Sequence, residues 1–264
     1  MSASARTATA AGLLALSAAI AGCGPRMDLG SNVLWASLFE GGTFDEWTGF
    51  SGGAGSANAY PAPPNTIAVS TNYAHHGRYA AELTIDAGPD GTQENTGLTL
   101  KGGLPVQAYY SAWYYLPRTI SVGSFWILFK FRLRTDANDP NTENEFYDLE
   151  LANAADGSLT LLLYDHQSGA DVPIASPAPV VPVSVWFQLE AFYRNAQDTD
   201  GRLTIWLDGR QVVDVDGQPM APTPWVEWDV VNVGENLTPS AAVVAVDDCA
   251  ITSSRVGPTG VISE

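Results

Sequence analysis

The chain has 264 residues, with 29 acidic and 12 basic side chains and a formal net charge of −17. Such an acidic surface argues against nucleic acid or an anionic lipid surface as the main partner. There are two cysteines, Cys23 and Cys249, so no intramolecular disulfide framework is expected. Stability must therefore come from a sizeable core, for which the length suffices.

The first 22 residues have the order typical of an export signal. A short apolar run, residues 10–22, follows a segment with a single basic side chain, Arg6, and is too short to span a bilayer. Its end, Ile20-Ala-Gly-Cys23, resembles the lipobox of bacterial lipoproteins, which implies that Cys23 is lipidated and becomes the mature first residue. An ordinary cleaved signal with a chance cysteine is the alternative. We expect an exported, lipid-anchored protein at the outer membrane or cell surface, with residues 23–33 as a tether.

From residue 34 onward the chain is predicted to be all-β. Alternating apolar and polar residues are separated by clusters of Gly, Pro, Asn and Asp, and no helical period persists. The predicted strands are 78–85, 97–101, 108–116, 125–134, 146–153, 159–165, 185–195, 202–207, 211–215 and 242–252. Asp208-Gly209 predicts a two-residue hairpin turn, and the prolines of 173–182 predict a loop or sheet edge. This spacing favours a two-sheet antiparallel sandwich.

Six segments, in this order, resemble the concanavalin A-like jelly roll, especially its branch of heparinase- and glucuronan-lyase-like polysaccharide lyases. They are residues 39–47, 76–83, 109–117, 186–193, 201–209 and 246–248. The resemblance implies one jelly-roll domain over residues 34–264 that binds an extended, acidic polysaccharide on its concave sheet. A polysaccharide lyase acting by β-elimination is the first alternative, and a structural surface lipoprotein without a glycan ligand is the second. A monomer is expected, with the membrane reached only through the lipid anchor.

The strand 125–134 carries the most informative charge pattern. Alternation predicts that Trp126, Lys130, Arg132 and Arg134 share an outward face, away from Phe129 and its neighbours. One interpretation is that these basic residues bind uronate or sulfate groups, with sugar rings stacked on Trp126 or Trp113. The other is that they pair with acidic residues of the stretch 143–150 on a neighbouring strand.

A lyase would need further residues to handle charge and protons. Arg132 or Arg134, together with Gln188, are candidates for neutralising the substrate carboxylate. Tyr147, Tyr164 and His166 are candidates for moving protons, and an exposed turn histidine is the favoured alternative for His166. Glycoside hydrolysis is disfavoured, because alternation puts Glu145 on the face opposite Asp148 and Glu150.

The resemblance also implies a calcium ion that ties the first strand to the last. Its ligands would be Glu40 with Asp247 or Asp248, and carboxylates exposed at strand ends are the alternative. The pair His75-His76 is a poor candidate for a metal site, because adjacent side chains point apart in an extended chain. Cys249 lies in an apolar run and is predicted to be a buried structural thiol.

Overall fold

The computed structural model describes residues 32–51, 64–102, 104–134, 136, 143–220 and 225–259. Within these ranges the chain is all-β and forms two antiparallel sheets, as a jelly-roll sandwich requires. The signal segment, Cys23 and residues 24–31 of the tether lie outside the described residues. In the described ranges, no helix is long and apolar enough to cross a membrane.

The two sheets are built from fifteen described strands. Sheet 1 has the order β13-β12-β11-β6-β15-β4-β3, with β1 paired to β15, and sheet 2 has the order β10-β9-β8-β7-β14-β5-β2. The strands are β1 (Val33–Ser37), β2 (Gly49–Ser51), β3 (Thr66–Ser70), β4 (Ala80–Asp86), β5 (Glu94–Lys101), β6 (Gln107–Tyr115), β7 (Ser121–Arg134), β8 (Glu143–Asn153), β9 (Leu159–Asp165), β10 (Ala170–Val172), β11 (Phe187–Arg194), β12 (Arg202–Leu207), β13 (Arg210–Asp216), β14 (Trp225–Thr238) and β15 (Ala241–Thr252).

All ten predicted strands are present, and β9 and β12 have the predicted bounds. The hairpin between β12 and β13 turns at Asp208 and Gly209, whose φ angles are 46° and 79°, as the Asp-Gly dipeptide predicts. Residues 173–182 contribute one isolated bridge, from Val180 to Thr160. The largest element that the sequence reading missed is β14, which lies in the middle of sheet 2 between β7 and β5.

The core lies between the two sheets and is rich in aromatic residues, with Trp126, Trp228 and Tyr110 fully buried. One buried amide joins the sheets. Asn232 on β14 donates to the carbonyl oxygens of Leu83 (2.9 Å) and Ala242 (3.0 Å) in sheet 1, and accepts from Trp126 Nε1 (2.8 Å). Cys249 is buried, as predicted.

A bulge in β7 changes which side chains face outward. The pairing of β7 with β8 skips Leu128, because Ile127 faces Glu150 whereas Phe129 faces Leu149. The extra residue reverses the alternation on its N-terminal side. Trp126 therefore lies in the core with no exposed surface, and its predicted role in stacking a sugar is wrong. Ile127 packs outside the core instead, against Val231 and Val233.

Candidate functional site

The outer face of sheet 2 carries a network of paired charges. From β7, Lys130 lies 3.5 Å from Asp148 of β8. Arg132 holds Asp229 of β14 with two donors, one of them at 3.1 Å. Glu227, also on β14, forms ion pairs with both arginines of β7, with Arg134 Nε 2.6 Å from Oε1 and Arg132 Nη2 3.5 Å from Oε2. Lys130 thus pairs with Asp148 of the stretch 143–150, as the second interpretation expected, whereas the two arginines pair with Glu227 and Asp229 of β14, which neither interpretation included.

These charges are buried although they lie on an outer face. The exposed fraction is 4% for Lys130, 1% for Asp148, 3% for Glu227 and 1% for Asp229. Burial raises the pKa of Glu227, and Arg132 opposes that rise. Removing a charge from water is costly unless partners compensate for it. Here the ion pairs supply that compensation, and their burial distinguishes the network from charges on a solvated surface.

A second group of titratable side chains adjoins the network at β8 and β9. His166 Nε2 lies 3.0 Å from Asp148 Oδ2, and the Tyr164 ring meets the His166 ring edge-on at 4.9 Å. Burial raises the pKa of Glu150 to about 7, helped by the negative charges of Asp148 and Asp171. A carboxyl group with that pKa exchanges its proton near neutral pH, which is a property of acid–base sites.

Two clefts flank the arginines. One, of about 170 Å³, is lined by Gln93, Asn95, Lys130, Arg132, Asp229, Val231 and Val233. The other, of about 150 Å³, is lined by Lys101, Gly102, Arg134, Trp225, Val226 and Glu227. The sequence reading missed most of these residues because it missed β14, although the alternation of Glu227 and Asp229 with Val226 and Trp228 is a strand signal.

The predicted site residues divide among three places. Five of them, namely Lys130, Arg132, Arg134, Tyr164 and His166, meet on the outer face of sheet 2. Gln188 and Trp113 pair with each other in sheet 1, so neither joins that group. Tyr147 lies in the core with 2% exposure, where burial holds its pKa far above the ordinary value. Its predicted role in proton transfer is therefore wrong.

Comparison with known proteins places the fold. No protein-family model and no curated protein matches the chain. The endo-β-1,4-glucuronan lyase of the fungus Trichoderma reesei superposes with a TM-score of 0.58 at 13% identity, over 80% of this chain and 97% of that one. An alginate lyase of Aplysia kurodai gives 0.55 at 10%, over 85% and 100%. The likeness is one of fold. The globular domain of T. cruzi calreticulin also matches, with 0.53 at 12%, over 84% and 88%.

The outer face of sheet 1 is chemically different, because aromatic rings cover it. Tyr109 packs against Phe192 (5.0 Å between centroids), and the Arg255 guanidinium lies 4.5 Å from the Trp206 centroid. Trp113 stacks on the His75 ring at 3.8 Å. Trp113 thus faces away from the basic residues that it was predicted to assist.

The three carboxylates predicted to bind calcium organise the loop between β3 and β4. Glu40 Oε1 accepts the backbone N–H groups of Arg78 (2.9 Å) and Tyr79 (3.0 Å). Asp247 accepts hydrogen bonds from the backbone N–H groups of His75 and His76. Asp248 pairs with the imidazole rings of the same two residues. Burial and the adjacent Asp248 raise the pKa of Asp247 to about 8. Calcium binding by these carboxylates stays a prediction.

Proposed function

We propose that this protein binds a carboxylate-bearing polysaccharide along the outer face of sheet 2. The observation that carries the proposal is the buried charge network on the outer face of sheet 2, formed by Lys130, Arg132, Arg134, Asp148, Glu227 and Asp229. Burial raises the pKa of Glu227 within this network, and titratable groups with shifted pKa values are concentrated at functional sites. The glucuronan and alginate lyases that share the fold support a polysaccharide as the ligand.

The two clefts give the proposed ligand a path along β14. The outward residues of this strand run from Trp225 at one cleft to Val233 at the other, a span of about 26 Å for eight strand steps. Trp225 is 43% exposed and offers a ring face to a sugar. Arg132 and Arg134 line the two clefts, and a ligand carboxylate there would join the ion pairs that they form with Asp229 and Glu227.

Trp225→Ala tests this path. We expect about tenfold weaker binding to alginate or glucuronan, because a stacking contact contributes roughly 1–1.5 kcal/mol. Trp206→Ala is the matched control, since it removes an indole from the outer face of sheet 1 and should leave binding unchanged. Equal loss in both variants, or equal binding of the wild-type protein to neutral glucans, would overturn the proposal.

β-Elimination on the same face is a second candidate function. It is favoured by Glu150, which lies two residues from the Asp148–Tyr164 pair of β8 and β9 and interacts electrostatically with His166. Protonated Glu150 would donate a hydrogen bond to the uronate carboxylate and stabilise the developing enolate. His166, whose Nε2–H donates to Asp148, would take the C5 proton at Nδ1. The C4–O bond then breaks, a C4=C5 double bond forms, and Tyr164 gives its phenolic proton to the leaving oxygen.

The unsaturated product absorbs ultraviolet light, which allows a direct assay with alginate, glucuronan and heparin. We expect His166→Ala and Tyr164→Phe to abolish product formation while polysaccharide binding persists. Gln167→Ala, next to His166 in the exposed turn, is the control and should retain full activity. Product formation that survives both substitutions would refute the mechanism. A protein that binds but releases no product from any uronate polymer would retain only the first function.

From the sequence pattern we propose that the mature protein is anchored through lipidated Cys23, at the outer membrane or cell surface. Cys23→Ser should move the protein from the membrane fraction to the soluble fraction and abolish labelling by a radioactive fatty acid. A wild-type protein found only in the soluble fraction would refute the anchor. Light scattering of the Cys23→Ser protein would test the expected monomer.

A further inference from the structure

We propose that His75, His76 and Asp248 form a binding site for a divalent transition metal of the zinc type. The site lies at the outer face of sheet 1 and is independent of the proposed polysaccharide site on sheet 2. One ligand atom from each of the three residues can be chosen so that all lie within 4.8 Å of one another. Two imidazoles and one carboxylate form a donor set that suits zinc, copper or nickel better than calcium.

The backbone explains how adjacent histidines come to face the same partner. Asp247 Oδ2 accepts the N–H groups of both His75 (2.8 Å) and His76 (3.2 Å), so the chain turns around this carboxylate. Both imidazole Nδ1 atoms then lie 2.6 Å from Asp248 Oδ2, with ring centroids 4.2 Å apart. The expectation that these two side chains point apart is therefore wrong, because residues 73–79 lie outside any strand.

The spacing is close to that of a metal site. Tetrahedral zinc with bonds of about 2.0–2.1 Å holds its ligand atoms about 3.3 Å apart. Each histidine nitrogen would need to move less than about 1 Å from Asp248 Oδ2 to reach that separation. The side chain of His76 is 40% exposed and that of His75 is 15% exposed, which leaves a solvent side where water would complete the coordination.

The surroundings favour a bound cation. Asp247 and Asp248 are consecutive and fully buried. Among the ion pairs of the described residues, those of Asp248 are with the two imidazoles, and neither aspartate pairs with Lys or Arg. A divalent ion would balance the negative charge of Asp248. Trp113 stacks on His75 at an interplanar angle of 19° and fixes the orientation of the ring, as neighbours of metal-binding histidines commonly do.

Such a metal would fasten the loop between β3 and β4 to the last strand. The two histidines belong to the loop, whereas Asp248 belongs to β15, and these segments are about 170 residues apart in sequence. A metal that binds only the folded state stabilises it in proportion to the logarithm of its concentration. Saturating zinc should therefore raise the melting temperature.

The test is a metal titration of the chelator-treated, full-length protein with Zn²⁺, Co²⁺ and Ca²⁺. We expect one Zn²⁺ per chain by calorimetry, a visible tetrahedral Co²⁺ spectrum that Zn²⁺ displaces, and a rise in melting temperature of about 5 °C. His76→Ala and Asp248→Asn should each weaken Zn²⁺ binding at least a hundredfold. His166→Ala removes the third and last histidine of the chain from the opposite sheet and should bind Zn²⁺ normally.

Each outcome bears on the proposal. Asn tolerates the positive φ of 49° at Asp248, so Asp248→Asn isolates the charge from the backbone conformation. If that variant fails to fold, His76→Ala decides alone, since its side chain is partly exposed. Absence of Zn²⁺ binding, or binding that both substitutions leave intact, would overturn the site. One tightly bound Ca²⁺ without Zn²⁺ binding would also overturn it and would favour the calcium prediction. Polysaccharide binding by the metal-stripped protein would show that the sheet 2 proposal stands separately.

Discussion

Glu150 offers a prediction that joins stability to the proposed chemistry. Its pKa rises from an ordinary 4.5 to about 7, because it is buried beside Asp148 and Asp171. Between these two pH values the folded protein binds a proton that the unfolded chain has released. The stability contributed by this carboxyl is therefore complete below pH 4.5 and is lost as the pH rises through 7.

The magnitude follows from the two pKa values. At about 1.36 kcal/mol per pH unit, the difference sets an upper bound of about 3.4 kcal/mol. Glu150 keeps partial contact with solvent, which screens its interactions, so we expect about half of that bound. Glu150→Gln, which keeps the shape without the charge, should raise the free energy of unfolding by about 1.5–2 kcal/mol at pH 8 and by almost nothing at pH 4.

Urea unfolding at pH 4, 6 and 8 measures this effect, and thermal melting at pH 8 should show a rise of about 5 °C. Glu46→Gln, at an exposed glutamate, is the control and should change little at any of these pH values. If Glu150→Gln shifts stability equally at pH 4 and pH 8, then a cause other than proton binding is at work. The reasoning about this carboxyl would then be refuted.

Three further predictions concern the core and the charge network. Arg132→Ala should lower the free energy of unfolding, measured with urea, by about 3 kcal/mol, because it leaves the buried Asp229 without its guanidinium partner. Arg202→Ala, which breaks a half-exposed ion pair, should lower it by less than about 1 kcal/mol. Asn232→Ala should also lower the free energy of unfolding by about 3 kcal/mol, since the three buried partners of the Asn232 amide lose their hydrogen bonds. A decrease below about 1 kcal/mol would contradict the role of this amide in joining the two sheets. Cys249 is fully buried and its pKa is raised by burial, so alkylation detected by mass spectrometry should require denaturant.

The ten strands predicted from alternation were found because alternation depends on local burial alone. Each strand of a sandwich has one face toward the core, so every second residue is apolar and the strand can be recognised in the sequence. β14 was overlooked even though residues 226–230 alternate, because its outward residues, Glu227 and Asp229, are acidic and adjoin Asn232, Gly234 and Asn236. Residues of these types are depleted in strands and resemble a loop.

Within β7 the assignment of faces failed on the N-terminal side of Leu128, and the error has a specific cause. A period of two is reliable only while every residue pairs, and the unpaired Leu128 shifts the pattern by one. Lys130, Arg132 and Arg134 follow the bulge and keep the predicted outward direction. Trp126 precedes it and moves into the core, where its indole N–H meets Asn232. Sequence periodicity alone carries no signal for such a bulge.

Sheet membership is a long-range property, which explains the separation of Gln188 from the arginines. Gln188 on β11 and Arg132 on β7 both face outward, but they belong to opposite sheets. Alternation predicts whether a side chain faces the core or faces outward. It does not predict on which of the two sheets an outward side chain lies. The pairing of β7 with β14, which are about 100 residues apart, likewise depends on the folded topology and not on any local pattern.

The two outer faces differ in a way that assigns them different chemistry. On sheet 2, buried cations and carboxylates from β7, β8 and β14 neutralise each other, and Glu150 is left with a pKa near neutrality. A substrate carboxylate that enters this face adds negative charge beside Glu150, so it should favour the protonated acid and gain a hydrogen bond from it. On sheet 1, aromatic rings share the outer face with ion pairs such as Arg255–Glu190, and among the ion pairs of the described residues those of Asp248 are with the two histidines. Acid–base chemistry is therefore expected on sheet 2, and metal binding on sheet 1.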